Sequence, residues 1–150
     1  MSLVHPRRTA AALKKADFET LAEFRYQLRR FLRLSEELTR AGGTTPLQYQ
    51  LMLQLKGFPG REWASVAQLA ERLQAKHHGV VALVSRCETL GWVARRPSAS
   101  DARQVEVHLT SAGSRFVAQL ARLHHAELQT LRELLENLSA VQSGADLARA

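Results

Sequence analysis

A single cysteine, Cys87, stands in the 150 residues, so no disulfide can form within the chain and a reducing compartment is expected. No apolar run approaches the roughly 18 residues of a membrane span. The opening MSLVHPRRTAAALKK lacks the apolar centre of a secretory leader, which makes a cytoplasmic protein the expectation. Glycine-rich phosphate loops, nucleophile elbows and paired carboxylates are missing too, and an enzyme is not expected. Cys87 follows His77 by ten residues on one helix, about 15 Å along its axis, too far for a nucleophile and its base. The chain has six histidines with adjacent pairs at His77-His78 and His124-His125. Neighbours on a helix point about 100° apart, not along the i, i+4 stripe that two ligands on one helix need. No acidic or cysteine cluster accompanies either pair, so neither a metal nor a cofactor is expected.

What is present is positive charge. The net charge of +7 favours an anionic partner, nucleic acid first, and the 45% hydrophobic content suffices for a core. Residues 1–16 read as a basic, mobile arm carrying Arg7, Arg8, Lys14 and Lys15, and residues 17–150 as one domain. Asp17 is an expected N-cap. Leu21, Phe24, Leu28, Phe31, Ser35 and Leu38 then alternate in spacings of three and four, the seam of a helix over about 17–41. Thr45-Pro46 restarts the chain, and Leu47, Leu51, Met52 and Leu55 outline a short buried helix ending at Lys56. GFPGREW reads as a loop. Ser65 with Gln68 forms a capping box for VAQLAERL, and a brief turn at Gln74-Ala75 leads into a second helix that Gly91 closes. WVARRP and QVEVHL bracket the polar SASDAR as a hairpin, with Val105, Val107 and Leu109 on one face. Thr110 caps a last helix over about 111–140, with a seam through Val117, Ala121, His124, Leu128, Leu131, Leu135 and Leu138; the tail from Ser139 is expected to fray.

Two short helices across a tight turn, followed by a basic hairpin, are the layout of a winged helix-turn-helix over about 45–110. The fold class expected is mainly α with a small β-hairpin wing, flanked by long dimerisation helices. On the second short helix Val80, Leu83, Val84, Cys87 and Leu90 share one face by their spacing, leaving His78, Ala82, Ser85, Arg86 and Thr89 opposite. Small, polar and methyl-bearing side chains suit base edges in the major groove. His78, Ala82 and Ser85 are the expected base readers, with Ser65, Lys76 and Arg96 on phosphates. His77 sits beside Lys76 at the helix start, where N–H groups favour phosphate. Arg86 and Arg95 complete the basic face, although Arg86 has an alternative as a structural partner of Glu88 or Asp101. Gly79 suits a close approach of backbone to a ligand or is a simple irregularity of the first turn. The seams of the long helices point to a homodimer through Leu21, Phe24, Leu28, Leu128, Leu131, Leu135 and Leu138, presenting two recognition helices to a pseudo-palindromic double-stranded site.

SVAQLAERL, HHGVVALVSRCETLGWVARR and DARQVEVHLTSAG, in that order, resemble the MarR family of transcription regulators over about residues 18–138. The resemblance implies a triangular homodimer that binds operator DNA, usually as a repressor. It also implies release by a small, often aromatic or anionic, effector bound between the dimerisation and DNA-binding regions; the effector residues are not assigned. By motif position the wing-tip arginine that enters the minor groove is Arg103, with Asp101 orienting it. Ala102 stands where the family often has a second basic residue, Cys87 where leucine is usual, and Gly79 where serine or threonine is common. The last dimerisation helix looks truncated after Ser139.

Some family members sense oxidants through a cysteine, but Cys87 lies on the apolar stripe and reads as a small buried hydrophobe. His124 reads as a satisfied interface histidine or an effector-pocket residue, and Arg29, Arg30 and Arg33 as a polar face or the lining of an anionic-ligand pocket. The rival reading is a winged helix that binds protein, such as an antirepressor or an assembly subunit. The basic wing, with Arg95, Arg96, Asp101 and Arg103, favours DNA.

Overall fold

The computed structural model describes residues 12–147, except the side chains of Leu134, Leu138 and residues 140–147. Five helices and three strands follow in the order α1 (Lys15–Ala41), α2 (Pro46–Lys56), β1 (Trp63–Ser65), α3 (Val66–Leu73), α4 (His77–Thr89), β2 (Val93–Pro97), β3 (Val105–Leu109) and α5 (Ser111–Leu147). This is a winged helix-turn-helix between two long helices. Much of the basic arm expected over 1–16 lies outside the described residues; of its remainder, Lys15 and Ala16 already belong to α1.

Local chemistry accounts for most boundaries. Thr45 Oγ1 accepts from the Gln48 N–H while Gln48 Oε1 accepts from the Thr45 N–H, with Pro46 at the first helical position of α2. Ser65 and Gln68 repeat that exchange at α3. The α3–α4 turn is closed by Gln74, a non-glycine residue at φ 50°, and by an Ala75 N–H donated to the Ala70 carbonyl. Asp17 is not the cap of α1. It stands one turn inside, where its carboxylate accepts from the Lys14 N–H at 2.8 Å.

The structure departs from expectation elsewhere. GFPGREW is not all loop: Trp63 begins β1, which pairs antiparallel with β3, so the hairpin becomes a sheet of order β1-β3-β2. α5 does not stop near residue 140 or fray at Ser139 but runs to Leu147. Alanine, leucine and glutamine there propagate a helix already nucleated, and no proline interrupts it. Leu47 and Leu90, expected to be buried, are each 52% exposed, because both lie at helix ends that overhang the core.

Two apolar clusters meet on α2. Leu51 and Leu55 join Ala64, Leu69, Val80, Leu83, Val84, Cys87, Val93 and Val107 in the winged-helix core. Tyr49 and Met52, from another face of α2, pack with Val117 and Leu120 of α5. Sealing each aliphatic side chain contributes about 1.5–3 kcal/mol. Where β2 begins, the two clusters are tied together. Trp92 stacks on Phe116 at 4.6 Å, and the Thr110 N–H donates to the Trp92 carbonyl at 3.0 Å. Thr110 Oγ1 caps α5 by accepting from the Gly113 N–H at 3.0 Å.

This junction explains the glycine of the Leu-Thr-x-x-Gly stretch. A Cβ on Gly113 would collide with the Trp92 carbonyl group, which is backbone and cannot swing away. Alanine in a helix is ordinarily favoured over glycine by about 1 kcal/mol. Here the overlap reverses the sign, and Gly113→Ala is expected to destabilise the protein by at least about 2 kcal/mol in denaturant unfolding. Wild-type stability in that variant would mean that α5 and the Trp92 carbonyl lie further apart.

Candidate nucleic-acid interface

α4 takes its orientation from its buried stripe. Val80, Leu83, Val84 and Cys87 are all between 0 and 5% exposed, which turns His78, Ala82, Ser85, Arg86 and Thr89 outward, as their spacing predicts. Lys76 is the N-cap and His77 the first helical residue, both exposed, and no side chain caps the first-turn N–H groups. Around Gly79 an added Cβ would find open space, so no protein neighbour requires the glycine.

Cys87 is sealed, and burial pushes its thiol up to about 11, with only a small opposing pull from Arg86. The thiolate that oxidation chemistry needs is therefore suppressed. His124 is buried inside the chain, with Nδ1 2.7 Å from the Leu120 carbonyl, Nε2 3.4 Å from the Ser35 carbonyl and its ring stacked 4.5 Å from that of Tyr49. It therefore joins α1, α2 and α5. Burial, and next the Glu127 charge, raise the Tyr49 phenol.

The wing divides into a committed base and an uncommitted tip. At the base, Arg95 turns back onto α4. Its Nη1 donates to Glu88 Oε1 at 2.9 Å, its backbone N–H to Glu88 Oε2 at 2.9 Å, and its Nη2 to Ser85 Oγ at 2.9 Å and the Val81 carbonyl at 3.2 Å. The backbone donor above all, aided by the guanidinium, holds the Glu88 carboxyl below its ordinary value. Arg86 therefore does not hold Glu88, and it does not hold Asp101 either: that carboxylate accepts from the Arg103 backbone N–H at 3.0 Å. Asp101 thus shapes the turn beneath Arg103 instead of gripping its guanidinium.

Arg96 stands opposite Glu106 in the β2–β3 ladder, yet Glu106 engages His108 at 2.8 Å. Arg86, Arg96 and Arg103 are exposed, and none forms an ion pair among the described residues. Ser65 is half-buried; its oxygen accepts the Gln68 N–H of the cap, which leaves the hydroxyl proton for a ligand. Spacing missed Arg61, which braces β1 by lying 3.7 Å over the Trp63 ring and donating to the Trp63 carbonyl at 3.0 Å. It lies in the stretch read as loop, where no periodicity signals it.

On the long helices, Leu21, Leu128 and Leu135 are 53%, 55% and 45% exposed, whereas Phe24, Leu28 and Leu131 are half-buried; the Leu138 side chain lies outside the described residues. Among the described residues, eight of the fourteen exposed large apolar side chains lie on α1 and α5. Between these helices opens a cavity of about 620 Å³, lined by Tyr26, Arg30, Phe31, Glu127 and Leu131 among others. One Glu127 oxygen is buried without a hydrogen-bond partner among the described residues. Of the basic residues thought to line a pocket, Arg30 and Arg33 line this one, and Arg33 is already paired with Glu37 at 3.1 Å. No described helix is long and apolar enough to cross a membrane.

Comparison with known proteins agrees with this geometry. Residues 42–104 match the model of the MarR family. A proposed transcriptional regulatory protein for the hcr operon of Thauera aromatica is 27% identical over 120 residues, spanning 80% of this chain and 69% of that protein. The fold is shared with AbsC, a MarR family transcriptional regulator from Streptomyces coelicolor, at TM-score 0.71 and 19% identity over 93% of this chain and 99% of that one. It is shared with a point mutant of MepR from S. aureus bound to an oligodeoxyribonucleotide, at TM-score 0.59 and 21% identity over 86% and 93% of the two chains. It is shared also with NadR in complex with 4-hydroxyphenylacetate, at TM-score 0.64 and 16% identity over 94% and 95%. The winged-helix segment thus matches the model of the MarR family, and the fold is matched nearly end to end by a regulator of that family.

Proposed function

We propose that the protein is a cytoplasmic repressor that binds a pseudo-palindromic operator as a homodimer and is released by a small-molecule effector. The observation that carries this reading is that the outer face of α4 and the tip of the wing are both exposed and basic. Their cations at Lys76, Arg86, Arg96 and Arg103 are not matched by carboxylates among the described residues. Phosphates complete such a surface and release their counterions as they do so. The DNA-bound state of MepR, a chain of the same fold, supports the assignment.

In this reading His78, Ala82 and Ser85 read base edges in the major groove. Lys76, His77 and the open first turn of α4 meet phosphate, as do Ser65, Arg86 and Arg96. Asp101 shapes the turn that carries Arg103 into the minor groove. The exposed apolar side chains of α1 and α5 cover each other across the two-fold axis, with Leu21, Phe24, Leu28, Leu128, Leu131, Leu135 and Leu138 in the seam. The effector is a small aromatic or anionic molecule held between the dimerisation and DNA-binding regions, by residues not assigned. The ligand complex of NadR supports an effector of that size.

Two measurements test this. Binding to the best fragment selected from a random duplex pool should weaken by about 1–3 kcal/mol in Arg103→Ala; unchanged affinity would remove Arg103 from the groove. Sedimentation at micromolar concentration should return a dimer, and a monomer there would overturn the two-fold arrangement.

A further inference from the structure

Arg95 belongs to the basic wing, but its geometry points away from the DNA contact expected of it. Every direction in which its guanidinium is engaged leads to α4: a carboxylate at Glu88, a hydroxyl at Ser85 and a carbonyl at Val81. Its side chain is 28% exposed, against 42% for its partner Glu88. The three residues it grips are spaced i, i+4 and i+7, so they form one stripe on the edge of α4 that faces the wing. An arginine held at both ends of such a stripe makes the wing and the recognition helix one rigid piece.

The clamp also sets the chemistry of Ser85. A serine hydroxyl has one proton and two lone pairs. Here the proton is donated to the Val81 carbonyl at 3.1 Å, and one lone pair accepts from Arg95 Nη2 at 2.9 Å. Only the second lone pair is left for DNA. A free serine reads either a donor or an acceptor; this one can only accept. In the major groove the partners that donate are the N6 amino group of adenine and the N4 amino group of cytosine, while guanine offers only acceptors and thymine an acceptor and a methyl.

We infer that Arg95 is a positioning residue that contacts no phosphate, and that it makes Ser85 an acceptor selective for an amino-bearing base, adenine or cytosine, at one position of each half-site. The inference rests on the DNA-binding reading above and adds a base preference to it.

The test uses the full-length protein as wild type, Arg95→Ala, Arg95→Lys, Glu88→Gln and Ser85→Ala. Each is used to select sites from a random duplex pool, then titrated on the wild-type site across a salt series. The wild type should require adenine or cytosine at one position per half-site, with a loss of about tenfold when that base is replaced by one lacking the amino group. Ser85→Ala and Arg95→Ala should both lose this preference while keeping the others. The salt slope of Arg95→Ala should match wild type, whereas a lost phosphate contact would lower it by about one. Arg95→Lys should not restore the preference, since a point charge cannot span Glu88 and Ser85 together. Glu88→Gln leaves Arg95 in place without its charge partner and should weaken the preference; it carries the test if Arg95→Ala fails to fold. A reduced salt slope in Arg95→Ala would overturn the positioning role. Retention of every base preference by Ser85→Ala would overturn the acceptor role. A wild type that selects no sequence would overturn the DNA-binding reading and this inference with it, whereas selection by wild type with no change in the variants sinks this inference alone.

Discussion

The burial of four side chains of α4 governs how this molecule presents itself. A helix of 13 residues has little stability of its own in water. It persists because Val80, Leu83, Val84 and Cys87 are sealed against α2, α3 and the sheet. That same burial sets its rotation about its axis. A turn of one residue, about 100°, would drive polar side chains such as Ser85 into an apolar core. The surface offered by α4 is therefore a consequence of the core beneath it.

Charge is distributed along the wing in a way that serves the same end. At the base, Arg95 is committed to Glu88 and Ser85 of α4, and the hairpin cannot pivot without breaking several hydrogen bonds together. At the tip, Asp101 engages only backbone, and the cation of Arg103 is left exposed on a shaped turn. A rigid base with an unpaired tip leaves that cation little conformational freedom to lose.

α2 links this lobe to the long helices. One of its faces supplies Leu51 and Leu55 to the winged-helix core, and another supplies Tyr49 and Met52 to the cluster with α5. Tyr49 stacks on His124, whose ring also faces the Ser35 carbonyl of α1. Glu127, one turn further along α5, lines the cavity between α1 and α5 and bears on Tyr49 through its charge.

Much of this was legible in the order of residues. Capping boxes at Thr45 and Ser65, the stripe on α4 and the alternation in β3 are local signals, each decided within one or two turns by hydrogen-bonding capacity and spacing, and the basic character of the exposed face follows from them. β1 escaped notice because three residues cannot display alternation; it exists only because β3 offers an edge. The length of α5 escaped for a related reason, since weakly apolar residues lengthen a helix once one is formed but do not announce it. The partner of Glu88 was decided by the fold alone. Arg86, Arg95 and Arg96 are equivalent as charges, and choosing among them requires the register of the wing and the side of α4 it approaches. The glycine at 113 is likewise explained only by the Trp92 carbonyl, from the turn before β2. By itself, then, the sequence determined the elements and the chemical character of their faces, because those depend on neighbours within a few residues. The tertiary structure alone decided which charges are committed and which stay free, because that depends on contacts between residues far apart in the chain.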